Sequence, residues 1–141
     1  MDVKINISTI QYDEHSKVDT ININTTGTLH KKNNDIYLMY KENHEGVEVT
    51  TSMKISGKEI TIKRFGGSNS TMVFEKDKTH TTKYRTPYGL FNIETYTRYL
   101  SMTVDDSKPI KIDLDYDIKV NDIFSGRNKI DRKSTRLNSS H

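Results

Sequence analysis

A chain of 141 residues is long enough for one domain with a real core and too short for two ordinary ones. It contains no cysteine, which excludes disulfides and thiolate metal sites, and no apolar run approaches the length of a membrane-spanning helix. The formal net charge is only +3, and the apolar fraction of 32% is low, so the fold must come from how apolar residues are placed rather than from their number.

The opening residues, Met1 to Asn6, lack the basic segment and apolar run of a secretory signal. With the absence of cysteine, this leads us to expect a cytoplasmic protein. They begin instead a series of period-two runs. Val3, Ile5 and Ile7 share a face, and a turn follows at Asp13-Glu14-His15-Ser16. Ile21 and Ile23 make the next row, ended by Lys32-Asn33-Asn34-Asp35. A strand carrying Tyr37 and Tyr40 runs to His44-Glu45-Gly46. Val47, Val49, Thr51, Met53 and Ile55 then alternate up to Ser56-Gly57. Ile60 and Ile62 follow, with Arg64 at the same parity. Gly66 to Asn69 is a turn, Met72 and Phe74 a short strand, and Lys76-Asp77-Lys78 another turn. Further turns stand at Pro87-Tyr88-Gly89, Asp105 to Pro109 and Asn121-Asp122. Glycine and asparagine supply positive φ at such places, Asp and Ser bond back to the backbone, and proline fixes φ.

Two segments say more. Between Leu90 and Val104 the apolar phase changes, from Phe91, Ile93 and Thr95 to Leu100, Met102 and Val104. One extra residue flips the faces of a strand, so a β-bulge is expected between Tyr96 and Tyr99. Ile110, Ile112, Leu114, Tyr116 and Ile118 form the cleanest row, and Lys111, Asp113, Asp115, Asp117 and Lys119 its wet face. No stretch carries a 3.6-residue apolar stripe. The reading is an all-β fold of nine or ten strands: a single antiparallel β-barrel of about 8–10 strands, of the calycin-like (lipocalin-like) kind that the family resemblance given below implies. A two-sheet sandwich is the alternative.

The candidate chemistry is sparse. Asp113-x-Asp115-x-Asp117 lacks the glycine and glutamate of a calcium loop, and Ile118 and Phe124 stand in their places. His15, His30, His44 and His80 are not spaced as ligands, so no metal is expected. There is no Gly-x-Ser-x-Gly elbow, and Gly66-Gly67-Ser68 lacks the Lys-Ser/Thr ending of a phosphate loop. No catalytic residue, cofactor or enzymatic activity is assigned. The tyrosines around Pro87, with Arg64, Lys83, Arg85 and Arg98 nearby in sequence, are read as barrel wall and rim. Stacking on nucleic acid is the weaker alternative. An inward Arg64 would need a buried acidic partner, for which Glu42 and Glu94 are the candidates.

The last eleven residues, Asp131 to His141, are the in-frame translation of a common short-read sequencing adapter. We therefore expect the barrel domain to occupy residues 1–130, with its last strand cut short, and residues 131–141 to be a disordered non-native tail. Setting aside Arg132, Lys133, Arg136 and Asp131 leaves a net charge of +1, which removes most of the case for nucleic-acid binding.

Several short patterns recur together in order. They are Gly27-x-Leu29, Tyr37-x-x-Tyr40-x-Glu42, Lys54-Ile55 and Arg64-x-Gly66 with Met72 and Phe74. Tyr84-x-Thr86-Pro87-Tyr88-Gly89 follows, continuing to Ile93 and Thr95, then Leu114-x-Tyr116 and Asn128-x-Ile130. In this the chain resembles the YwiB family of bacterial proteins. The resemblance implies a calycin-like barrel and a cytoplasmic home, and it carries no activity to transfer. The expectation is a non-enzymatic barrel that binds a small molecule in or at the mouth of its interior, through Arg64, Glu42, Tyr84 and Tyr88. The alternative is a homodimeric or protein-interaction module using an open seam or an aromatic rim.

Overall fold

Strands with one apolar and one polar face bury the apolar one by curling around it. A computed structural model of the chain shows this outcome. It describes residues 2–12, 17–44, 46–66, 69–86, 89–103, 110–120 and 124–136. In chain order the strands are β1 (Asp2–Tyr12), β2 (Lys17–Lys32), β3 (Asp35–His44), β4 (Val47–Ser56) and β5 (Glu59–Phe65). They continue as β6 (Ser70–Glu75), β7 (Thr79–Thr86), β8 (Gly89–Thr103), β9 (Ile110–Val120) and β10 (Phe124–Arg136). Among the described residues no helix is long and apolar enough to cross a membrane.

The strands form one antiparallel sheet in the order β6-β5-β4-β3-β2-β1-β10-β9-β8-β7. Every neighbouring pair except β1 and β10 is consecutive in sequence, so the chain is a meander whose two ends pair in its middle. The two outer strands, β6 and β7, are themselves consecutive. Curling the sheet therefore brings them side by side and makes the barrel. They are stitched at one end by reciprocal backbone bonds between Asn69 and Arg85, at 3.2 and 3.1 Å. Midway along the seam, the Thr95 hydroxyl on β8 donates to the Val73 carbonyl at 3.3 Å, with the His80 carbonyl at 3.5 Å. The curl is also visible in the core. Phe74 on β6 and Tyr116 on β9 meet with ring centroids 4.6 Å apart, although six strands, β5 to β1 and β10, stand between theirs in the sheet order.

The turns lie where Gly, Asn and Asp placed them. Asn33 and Asn34 both have positive φ between β2 and β3, the backbone of a two-residue hairpin turn. Asp77 does the same between β6 and β7. The expected bulge is present, as a register shift between Thr97 and Tyr99 where β8 pairs with β9. Of the apolar rows named from sequence, Val3, Ile5, Ile7, Met53, Ile55, Ile60, Ile62, Phe74, Ile93, Ile112 and Leu114 are buried in the interior, joined there by Leu29, Ile36 and Leu38. Each such side chain contributes about 1.5–3 kcal/mol relative to its exposed state. The Asp113, Asp115 and Asp117 row lies on the outer face, half-buried, with both carboxylate oxygens of Asp117 2.9 Å from Nε of Arg98.

The C-terminal boundary differs from expectation. β10 does not stop at Ile130 but runs to Arg136, pairing with β1 through Val3↔Arg136 and with β9 through Ile110↔Ser134. Residues 137–141 lie outside the described residues. The physical reason is that a ladder is made of backbone groups. β1 and β9 each present an unfilled edge there, and any extended segment in the gap satisfies both.

Gly27, one of the residues of the family pattern, is fixed by packing. A Cβ on it would lie 2.3 Å from the Met39 carbonyl oxygen and 2.7 Å from the Ile5 methyl. Gly27→Ala is expected to cost about 1–3 kcal/mol as overpacking, read as a lower midpoint in urea unfolding. An unchanged midpoint would show that the backbone there is free to move. Truncation after Ile130 is expected to lower the thermal midpoint, because β1 and β9 lose the strand they share. Equal midpoints for the two chains would mean that the added ladder contributes no stability.

Candidate functional site at the mouth of the barrel

Cross-strand register assembles the site. Starting from the seam and reading across the interior face, Ser70 opposes Arg64, Arg64 opposes Thr51, Thr51 opposes Tyr40, Tyr40 opposes Gly27, and Gly27 opposes Val3. Tyr84 stands one residue from the Asn69–Arg85 bridge on the other side of the seam, which brings β7 to the same end. This row lies one layer beyond the apolar floor of Met72, Ile62, Met53, Leu38 and Leu29. One further step out, Glu42 opposes Val49.

The row is polar where the floor is apolar. Tyr40 and Thr51 are 2% and 0% exposed, yet neither hydroxyl has a hydrogen-bond partner. A buried hydroxyl left without a partner costs about 1–3 kcal/mol. Two of them in opposing register positions make a concentrated polar spot inside an otherwise oily wall. Arg64 and Glu42 flank this spot, exposed and half-buried respectively. Tyr84 packs against the core and sits 6.4 Å, centroid to centroid, from the ring of Phe91. Two more buried polar atoms without a hydrogen bond, Thr97 Oγ1 and His80 Nε2, lie on β8 and β7. His80 has Glu75 Oε1 at 3.8 Å as an ionic neighbour when it is protonated.

The expected site residues fall out as follows. Arg64, Glu42 and Tyr84 are brought to one end of the barrel. Tyr88 lies outside the described residues. Arg64 does have inward parity, but it is exposed, because β5 ends one residue later and the burial of Ile60 and Ile62 does not extend to it. It therefore needs no buried counter-ion. Glu94 is removed from consideration as its partner, since Ile93 and Thr95 are the buried residues of that stretch and Glu94 pairs outward with Thr81 and Lys119. Sequence reasoning did not single out Tyr40 and Thr51 as a pair. Their parity with Leu38 and Met53 was visible. Their opposition across β3 and β4 was not, because it requires the register.

Beside the row is a cleft of about 580 Å³. It opens where β2 leaves β3, beyond the last pair Gly27↔Tyr40, and it is lined by Asp2, Thr26, Met39, Lys41 and Thr50 among others. Among the described residues there is no group of three or more His, Asp or Glu side chains able to hold a metal ion.

Residues 5–131 match the family described as Domain of unknown function (DUF1934). The chain belongs to this family. It is 30% identical over 115 residues to the Uncharacterized beta-barrel protein YwiB of Bacillus subtilis (strain 168), covering 82% of this chain and 79% of that protein. It also superposes on the crystal structure of the ywiB protein from Bacillus subtilis with a TM-score of 0.86. That match is 21% identical in sequence and covers 97% of this chain and 92% of the other. The YwiB-family barrel is thus the fold of this chain. The family's description and the relative's name specify no activity, so the function of the chain is unknown. The family match ends at residue 131, where the adapter-like string begins.

Because the Thr51 hydroxyl lacks a partner, Thr51→Val should leave packing intact and remove a desolvated group. Stability of the ligand-free protein is expected to rise by about 1 kcal/mol, measured as a higher urea midpoint. A loss of similar size would show that the hydroxyl is hydrogen-bonded in solution.

Proposed function

We propose that this chain is a non-enzymatic cytoplasmic barrel that binds a small polar molecule at the Arg64–Tyr84 mouth. One observation carries the reading: Tyr40 and Thr51, opposed in register across β3 and β4, both bury a hydroxyl that has no hydrogen-bond partner. Groups that lower stability when empty are retained where a ligand uses them. Each hydroxyl offers one donor and acceptor lone pairs, so the pair suits a ligand with its own carbonyl, hydroxyl or amide groups. Arg64 adds a planar donor fork at the rim, favouring a ligand with an acidic end. Glu42 and the half-buried Tyr84 complete the wall.

Nucleic-acid stacking is less well supported. Tyr96 and Tyr99 are exposed on the outer face, as that reading requires. The neighbouring Arg98, however, is engaged by Asp117 at 2.9 Å, and Tyr99 opposes Asp115 in the ladder. An acidic outer face repels phosphates.

Native mass spectrometry of gently purified protein tests the proposal. The wild type is expected to carry a reproducible extra mass that is lost on denaturation. Tyr40→Phe with Thr51→Val, and separately Arg64→Ala, should lose most of it while keeping the fold. A bare protein mass under gentle conditions would sink the proposal, and so would an adduct retained by all these variants.

A further inference from the structure

β2 is paired with β1 over most of its length but with β3 only in part. Its register with β1 runs from Lys17 to Thr28, whereas its register with β3 stops at Gly27. Beyond that point β3 continues from Lys41 to His44 with β4 alone. The sheet therefore forks. Asp19 to Thr26 is left as a free edge among the described residues, about 26 Å long at 3.3 Å per residue. The other two edges of the sheet, β6 and β7, cover each other at the seam.

This free edge lacks the usual protection. Edge strands are commonly guarded by lysine, proline, bulges or charge. Thr20-Ile21-Asn22-Ile23-Asn24-Thr25-Thr26 has no charged residue and no proline, and its ladder to β1 is regular. Ile21 is 38% exposed although it shares the inward parity of Ile23. Strand propensity, an open backbone and an uncovered apolar side chain thus coincide in one segment.

We infer that this edge is a homodimer interface in which β2 of one copy pairs antiparallel with β2 of a second. The segment is self-complementary in the sense a two-fold axis requires. With the axis near Ile23, Asn22 opposes Asn24, Ile21 opposes Thr25 and Thr20 opposes Thr26. No like charges meet, and residues of the same face stay together because the register keeps parity. The seven residues Thr20 to Thr26 on each side supply about seven backbone hydrogen bonds, within the range of a stable interface. The two forks abut at the axis, so Ile21 and Ile23 of one copy cover those of the other. An extended peptide from another protein would find the same backbone groups, but the uncharged side chains of Thr20 to Thr26 offer it no ionic contact. A second copy brings the matching uncharged strand at no such cost in selectivity.

The test is sedimentation velocity over a dilution series with the full chain, combined with amide exchange. A reversible dimer is expected, with slow exchange across Asp19 to Thr26 that becomes fast on dilution. Ile21→Lys and, independently, Asn22→Lys place like charges across the axis and should weaken dimerisation roughly tenfold or more, while leaving the thermal midpoint of the dilute protein unchanged. Tyr40→Phe, which alters the mouth only, should leave the dimer intact, separating this inference from the ligand-binding proposal. A monomer at every concentration would overturn it. So would a dimer indifferent to both lysines, or one whose protected amides lie on another strand.

Discussion

Everything in this molecule follows from one requirement: each strand edge needs a partner for its backbone N–H and C=O groups. A ten-stranded meander meets that requirement by curling until its outermost strands lie together. Here those strands are β6 and β7, which the Lys76-Asp77-Lys78 turn already joins. The seam is the least regular part of the wall. Two backbone bonds hold one end and a side-chain hydroxyl, that of Thr95, spans the middle. Thr95 is 2% exposed, so its donor has no water to return to and the bond it makes across the seam is costly to lose. The same requirement explains β10, where backbone pairing carries the strand past Ile130, and it is left unmet within one copy at the fork of β2, where pairing stops early.

The sequence made orientation legible and left depth hidden. Period-two alternation told correctly which way Ile5, Met53, Ile62 and Leu114 point. Turn chemistry separated the strands, and the change of phase after Thr95 located the bulge. Parity says nothing of how far along a strand the barrel extends. Val47 and Arg64 have the inward parity of their buried neighbours and are nonetheless exposed, because both sit at strand ends where the wall outruns the core. The reading of Arg64 as a buried charge failed for that reason. Contacts between strands were hidden for a second reason. The opposition of Tyr40 and Thr51, the stitch from Thr95 to Val73 and the divergence of β2 from β3 all depend on register and curvature, to which no local pattern in the chain is tied.

These two kinds of information meet at the mouth. From the floor outward, the interior changes in a single residue step from Leu38 and Met53 to Tyr40 and Thr51. Extending the apolar floor would have been the simplest solution, and phenylalanine and valine would have supplied it with the same shapes. The hydroxyls instead bring a penalty comparable to a substantial part of a small domain's net stability. The row also lies next to the place where the wall opens between β2 and β3. Among the described residues the neighbouring rows at Ile62–Met53–Leu38 and Ile60–Ile55–Ile36 carry no such group, whereas the two other buried atoms without a hydrogen bond, Thr97 Oγ1 and His80 Nε2, stand apart on β8 and β7. What distinguishes Tyr40 and Thr51 is that their two unpaired hydroxyls belong to residues opposed in register, the groups the proposed ligand would complete.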